Sequence, residues 1–353
     1  MGTESIEASF LSFFALVSFF IFLIVSKYSH KIRGGSLLDK DFTKPQAFHD
    51  TPITRSGGIA IIISFSIFFI IYDLLYDQVL YDYIFISYSV FLVGFLDDLR
   101  INIKPLTRLI IMIFLVFILI YILPIKIFNI DVPFLTLLMS SHIFSSIFVL
   151  LCFLFVINGA NLIDGFNGLL TINLIIINII LTYININHGN LEFSILLISQ
   201  IIILFSFLLF NFPNAKIFLG DSGAYTLGAM TALNTIITNN LNPSVSSFFF
   251  CTLLFYLFFE VFFSFFRKLK QGKSPIYPDD KHLHMLSFYK ISRTYGTNKG
   301  NYLNSIIINL LYFILIIPGL YLLNDPQLSR YWFFILLLIY SIIYSRLYRL
   351  TKN

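Results

Sequence analysis

The chain has 353 residues, of which 58% are hydrophobic and 12% charged, against roughly 25% charged in a soluble domain. That composition excludes a soluble two-domain protein and indicates a polytopic membrane protein with one transmembrane domain, 1–353. The net charge of +5 would suit nucleic acid, but its distribution along the chain excludes that partner, and Cys152 and Cys251, both inside apolar runs, exclude a disulfide framework or a cysteine metal cluster.

A membrane-crossing helix needs about 20 mostly apolar residues. Eleven runs qualify, starting near residues 8, 57, 81, 106, 144, 166, 191, 222, 247, 303 and 331, and the expected fold is all-α with about eleven transmembrane helices. The first run follows Glu4 and Glu7 and precedes basic residues, the reverse of a secretory signal, so it is read as a retained span. The eighth is short and rich in Gly, Ala and Thr, which suits close helix packing in lipid. With the N-terminus placed outside, the inner loops begin near residues 27, 97, 160, 211 and 267 and the tail is also inside; together they hold 21 of the 23 Lys and Arg. Basic residues face the cytoplasm, so the N-terminus is expected in the periplasm and the C-terminus in the cytoplasm.

The acids sort on the same map. Asp97, Asp98, Asp164, Asp221, Asp279 and Asp280 fall at inner span ends. The outer acids stand among loop residues and read as solvated turns. In "GFLDDLR" two adjacent carboxylates follow an apolar span, an arrangement that is costly unless a cation or phosphate offsets it; a helix-end cap is the structural alternative. In "FVINGANLIDGFNGLL" the polar residues Asn158, Asn161, Asp164 and Asn167 recur every three residues, which places them on one face if the segment is helical. In "KIFLGDSGAYTLG", Asp221 lies in a Gly-rich turn where backbone N–H groups can approach a ligand and a carboxylate can hold Mg²⁺; Asp221 or Ser222 could equally cap the next helix. Glu260 is an ionisable group inside the ninth run, a functional candidate by position, or else one partner of an interhelical hydrogen bond. The last inner loop carries "PDDKHLH". His282 and His284 could bind zinc, but no Cys accompanies them and their neighbours are basic, so phosphate or sugar contact suits them better.

The stretches "KPQAFHDTPITRSGGIA" (44 to 60), "GFLDDLR" (94 to 100), "NGANLIDGFNGL" (158 to 169), "FLGDSG" (218 to 223) and "PDDKHLH" (278 to 284) together resemble the polyprenyl-phosphate N-acetylhexosamine-1-phosphate transferases, and the last resembles the O-antigen and common-antigen priming branch. Two positions depart from the pattern. Asn167 stands where many bacterial relatives have a second acid and where the eukaryotic dolichol enzyme, which is similar, also carries Asn; Glu260 stands where many have Asp.

The resemblance implies an active site on the cytoplasmic face of a bacterial inner membrane. It implies transfer of a hexosamine 1-phosphate from a UDP-sugar to undecaprenyl phosphate, with release of UMP and with Mg²⁺, or Mn²⁺ in its place, as cofactor. By the same resemblance Asp221 and Asn161 hold the metal. Asp97, Asp98 and Asp164 are catalytic, with either Asp97 or Asp98 orienting or deprotonating the lipid phosphate. Phe218, Asn167 and Gly165 bind the nucleotide. Lys104, Arg108, Lys281, His282 and His284 contact phosphate or sugar. His49, Arg55, Asn158 and Glu260 are further candidates, and a homodimer is compatible with the pattern. The sugar and the polysaccharide it enters are not readable. A secondary transporter is the rival reading, but it would be expected to show inverted repeats and midplane polar groups, whereas here the acids gather at one face.

Overall fold

Long apolar runs in lipid can satisfy their backbone only within helices or closed barrels, and this chain takes the first solution. The computed structural model describes residues 3–39, 52–101, 103–123, 125–275 and 279–352; His49 lies outside the described residues. Helix α1 (Thr3–Tyr28) is followed by a 3₁₀ turn and two short antiparallel strands, β1 (Leu38–Asp39) and β2 (Ile53–Thr54), with Leu38 opposite Thr54. Among the described residues the fold is otherwise helical, as expected, and this short strand pairing is the addition to it. Next come α2 (Gly57–Tyr76), α3 (Tyr81–Asp98), α4 (Pro105–Ile122), a short α5 (Pro133–Met139), α6 (His142–Ile163), α7 (Leu169–Asn187) and α8 (Leu191–Asn211). The remainder is α9 (Gly220–Leu241), α10 (Ser247–Leu253), α11 (Phe255–Lys270), α12 (Leu283–Tyr295), α13 (Thr297–Tyr321) and α14 (Pro326–Lys352).

Every one of the eleven runs is helical. Among the described residues eight helices are long and apolar enough to cross a membrane, or nine if α10 and α11, which meet at 73°, form one broken span. The two that fall short are instructive. Helix α3 carries Asp82, Asp97 and Asp98, and α9 is rich in Gly, Ala and Thr and buried along almost its whole length. Helix α9 packs against α2, α3, α6 and α7. Its low apolarity follows from that place: a helix surrounded by protein needs close contact with its neighbours more than it needs lipid-compatible side chains.

Close approach requires glycine at the crossings. A Cβ on Gly94 of α3 would lie 2.5 Å from the Ser222 nitrogen, and one on Gly58 of α2 would lie 2.2 Å from Ser222 Oγ. Both helices therefore bring their backbones directly onto the first turn of α9. The chain before α2 is tied there as well. Thr54 pairs with Ile217, Phe218 N donates to Thr54 O at 2.8 Å, and Gly57 N and Gly58 N donate to Phe218 O and Leu219 O. The loop before α9 thus satisfies N–H groups that α2 would otherwise leave unpaired.

One expected element is broken. The polar face at 158, 161, 164 and 167 is not a single helix: α6 ends at Ile163, and the next helix starts after Gly168, whose φ is +76°. Asp164 and Asn167 belong to the intervening turn.

Gly94→Leu should lower the melting temperature of purified protein and its monodisperse yield, since overpacking costs typically 1–3 kcal/mol and here the obstacle is backbone. Gly165→Ala, where an added Cβ meets nothing within 4 Å, should leave melting unchanged. Equal melting temperatures for the two variants would contradict the close α3–α9 crossing.

Candidate functional site

The first turn of α9 is held by a residue from another helix. Asp98, at the end of α3 and 1% exposed, accepts hydrogen bonds from Asp221 N and Ser222 N, both at 2.9 Å, and from Ser222 Oγ at 2.6 Å. Neither Asp221 nor Ser222 caps the helix with its own side chain; the cap comes from α3. Both oxygens of Asp98 are thus engaged by the first turn of α9. Gly220 fits this arrangement with φ +76° and with the space where its Cβ would stand filled by the Asp98 carboxylate, 2.6 Å away.

Its neighbour Asp97 points to the open side. Arg108, from the first turn of α4, places Nη1 2.9 Å from Asp97 Oδ2, and the same nitrogen donates to Asp221 Oδ2. Asn161, in the last turn of α6, donates through Nδ2 to Asp221 Oδ1 at 3.1 Å. The Tyr225 ring lies behind the guanidinium, 5.6 Å from Arg108 Cζ. Four helices therefore bring Asp97, Arg108, Asn161 and Asp221 to one place. Sequence reasoning missed Tyr225, although its spacing of four from Asp221 on a helix was a usable signal.

Two carboxylate oxygens from different helices face one point, and hard oxygen donors of this kind suit Mg²⁺ or Mn²⁺. Among the described residues no group of three or more His, Cys, Asp or Glu converges as a closed metal cage. Two carboxylates alone would leave a bound cation open positions for water and phosphate oxygens. Asp164, in the turn after α6, is raised well above the usual carboxylate range, chiefly by burial and then by the nearby charges of Asp221 and Asp98, with Arg55 opposing.

The remaining expected residues divide. Asn158 donates to Leu154 O on its own helix, 2.7 Å away, so it turns back on α6. Asn167 Nδ2 donates to Pro213 O at 2.8 Å and its N–H to Asn301 Oδ1 at 2.8 Å. Phe218, half-buried, ends the loop in which Pro213 lies. Asn167, Gly165 and Phe218 thus border the turn and loop that flank the acids. Lys104 is exposed just before α4. Arg55 is engaged with Asp39, donating from Nε at 3.0 Å and from Nη2 at 2.7 Å.

A second polar group supports the loop that carries the two histidines. Glu260, 1% exposed, accepts from His282 Nδ1 at 3.0 Å, from Leu283 N at 3.1 Å and from Tyr340 Oη. His282 Nε2 faces Asp279 Oδ1 at 3.2 Å, and Asp279 is held by Arg267. Both ring nitrogens of His282 therefore face protein carboxylates. Glu260 acts as the expected interhelical partner, but for the loop as well as for α14. Despite desolvation, the Arg267 hydrogen bond and the adjacent His282 hold Asp279 below the usual carboxylate range. His284 is fully buried, 3.4 Å from Tyr256 Oη through Nδ1 and edge-on to Phe166. Among the described residues its Nε2 has no hydrogen-bond partner, and burial lowers its pKa to about 3, which favours the neutral ring. The Lys281 ammonium turns away toward the Tyr348 ring at 5.9 Å.

Residues 80–239 match the family model for glycosyl transferase family 4, a stretch that includes Asp97, Asp98, Arg108, Asn161, Asp164 and Asp221. The undecaprenyl-phosphate alpha-N-acetylglucosaminyl 1-phosphate transferase of Thermotoga maritima is 36% identical over 83 residues, 24% of this chain and 27% of that protein. The similarity therefore spans about a quarter of the length of that relative, and the histidine loop lies beyond the family match. Residues 80–239, which carry the acid cluster, are thus similar to glycosyl transferase family 4, and part of the chain is similar to an undecaprenyl-phosphate sugar 1-phosphate transferase.

Proposed function

We propose that the protein transfers an N-acetylhexosamine 1-phosphate from a UDP-sugar to undecaprenyl phosphate on the cytoplasmic side of a bacterial inner membrane, as the first membrane step of a surface polysaccharide. The observation that carries this reading is the meeting of Asp97, Arg108, Asn161 and Asp221 at the ends of four helices inside the family-matched stretch. In the transfer an oxygen of the lipid phosphate attacks the sugar-bearing phosphorus of the donor. The bond from that phosphorus to the bridging oxygen breaks, and UMP leaves with the electron pair. Such chemistry depends on alignment and on neutralising the charge that grows on the leaving phosphate. Mg²⁺ held by Asp221, with Asn161 and Asp97 beside it, would supply that neutralisation.

The chain's own residues divide the remaining work. Asp97 is the acid of the pair that faces outward, and it orients the lipid phosphate. Arg108 presents a fork of donors to phosphate oxygens. The N-terminus of α9 adds the positive end of a helix dipole. Asn167 and Phe218 border the place assigned to uracil. His284 offers one neutral ring nitrogen to a sugar or phosphate oxygen, while His282 and Glu260 hold the loop that carries it. We further propose that the eleven helical segments all cross or enter the membrane, with the N-terminus periplasmic.

Three expected outcomes test this reading. Purified protein given undecaprenyl phosphate, UDP-N-acetylglucosamine and Mg²⁺ should release UMP, and EDTA should abolish release; if a panel of UDP-N-acetylhexosamines yields no UMP, the activity is wrong. The two adjacent acids should separate. Asp97→Asn should lose turnover by orders of magnitude at an unchanged melting temperature. Asp98→Asn should lose stability first, because unpaired buried groups cost about 1–3 kcal/mol each; the reverse pattern would exchange their roles. Finally, in a background lacking Cys152 and Cys251, cysteines at Lys216 and Lys273 should resist an impermeant periplasmic label in intact cells, while those at Asn187 and Gln327 should react. Labelling at Lys273 would overturn the orientation.

A further inference from the structure

The cation-accepting acids already share a cation of their own. Arg108 Nη1 lies 2.9 Å from Asp97 Oδ2 and also donates to Asp221 Oδ2. One nitrogen thus stands where two carboxylate oxygens converge, and those are the oxygens a divalent ion would take. The alternatives for neutralising the pair are few. Asn161 contributes only a neutral amide. Lys104 is exposed before α4, and Arg55 is engaged with Asp39. A guanidinium does not release its proton in proteins, so the site cannot shed this charge by titration. It can only move it.

The surroundings allow such movement. Arg108 belongs to the first turn of α4, a peripheral helix whose buried residues are Met112, Val116 and Ile120, all further along. Its guanidinium is partly open to solvent, and the Tyr225 ring offers a face that can carry a cation in more than one position. Nothing else is hydrogen-bonded to the guanidinium among the described residues: both of its ion pairs are to the two acids.

We infer that Arg108 is a built-in counter-ion that keeps the place of the divalent cation between Asp97 and Asp221, and that it must leave those oxygens for the metal to bind. The inference rests on the transferase reading in taking that cation to be Mg²⁺ or Mn²⁺. Held by the arginine, the two carboxylates keep their spacing without a metal. When a diphosphate arrives with its metal, the same guanidinium is released next to new phosphate oxygens, for which its fork geometry is suited. Metal binding and arginine movement are then one exchange, and the arginine weakens metal affinity in the absence of a diphosphate.

The test is binding of Mn²⁺ alone, followed through the free-ion electron paramagnetic resonance signal, with purified protein in detergent and no nucleotide or lipid phosphate added. Arg108→Ala should bind Mn²⁺ about ten- to hundredfold more tightly than wild type, the effect expected when charge-assisted hydrogen bonds no longer compete. Arg108→Lys, which keeps the charge without the fork, should fall between them, and it serves if the alanine variant does not fold. Mn²⁺ should also raise the melting temperature of the arginine variants by more than it raises that of wild type. Asp221→Asn should lose the site. Equal or weaker Mn²⁺ binding in both arginine variants, with binding still lost in Asp221→Asn, would overturn the counter-ion role and leave the metal site standing. Unchanged binding in Asp221→Asn would overturn both.

Discussion

Asp98 makes the rest of the acid cluster possible. Its carboxylate takes three hydrogen bonds from the first turn of α9, each contributing about 1 kcal/mol or more. The bonds fix both the rotation and the height of α9 against α3. Because Asp221 is one of the donors, fixing that turn also fixes the carboxylate that faces Arg108 and Asn161. Glycines at 94 and 58 let two helix backbones reach the same turn. A charge buried at the end of a membrane helix is costly when unpaired, and here each of its oxygens is paired.

From that anchor the chemistry divides between two supports. On one side are the charges of Asp97, Arg108 and Asp221, all partly open to solvent. On the other is the buried chain from Arg267 through Asp279 and His282 to Glu260 and Tyr340. In the second group both ring nitrogens of His282 face carboxylates, and the group fixes the loop. The Asp164–Gly168 turn joins the two: Phe166 meets His284, and Asn167 meets both Asn301 and Pro213.

A separate set of amides lies deeper in the helices. Asn234 of α9 is hydrogen-bonded to Tyr83, Asn178 and Gln200, and Asn185 joins Thr238 and Asn242. These side chains satisfy one another, as polar groups between packed membrane helices do. They join α3, α7, α8 and α9 into one body, which is consistent with a rigid frame behind the acids.

The sequence alone determined the class of protein, the places of the helical segments and the grouping of acids, because apolar length and charge are local properties of the chain. It also brought Asp97, Asp221, Asn161 and Arg108 forward as candidates. It could not distinguish Asp97 from Asp98, since adjacent residues of one type look alike until a neighbouring helix takes one of them. Nor could it show that Asp164 and Asn167 leave the helix, that Arg55 belongs to Asp39, or that His282 is held between Glu260 and Asp279. Each of those outcomes depends on a partner distant in sequence. The tertiary structure decided them, because a buried polar group is defined by what it is hydrogen-bonded to, and that partner is chosen by packing.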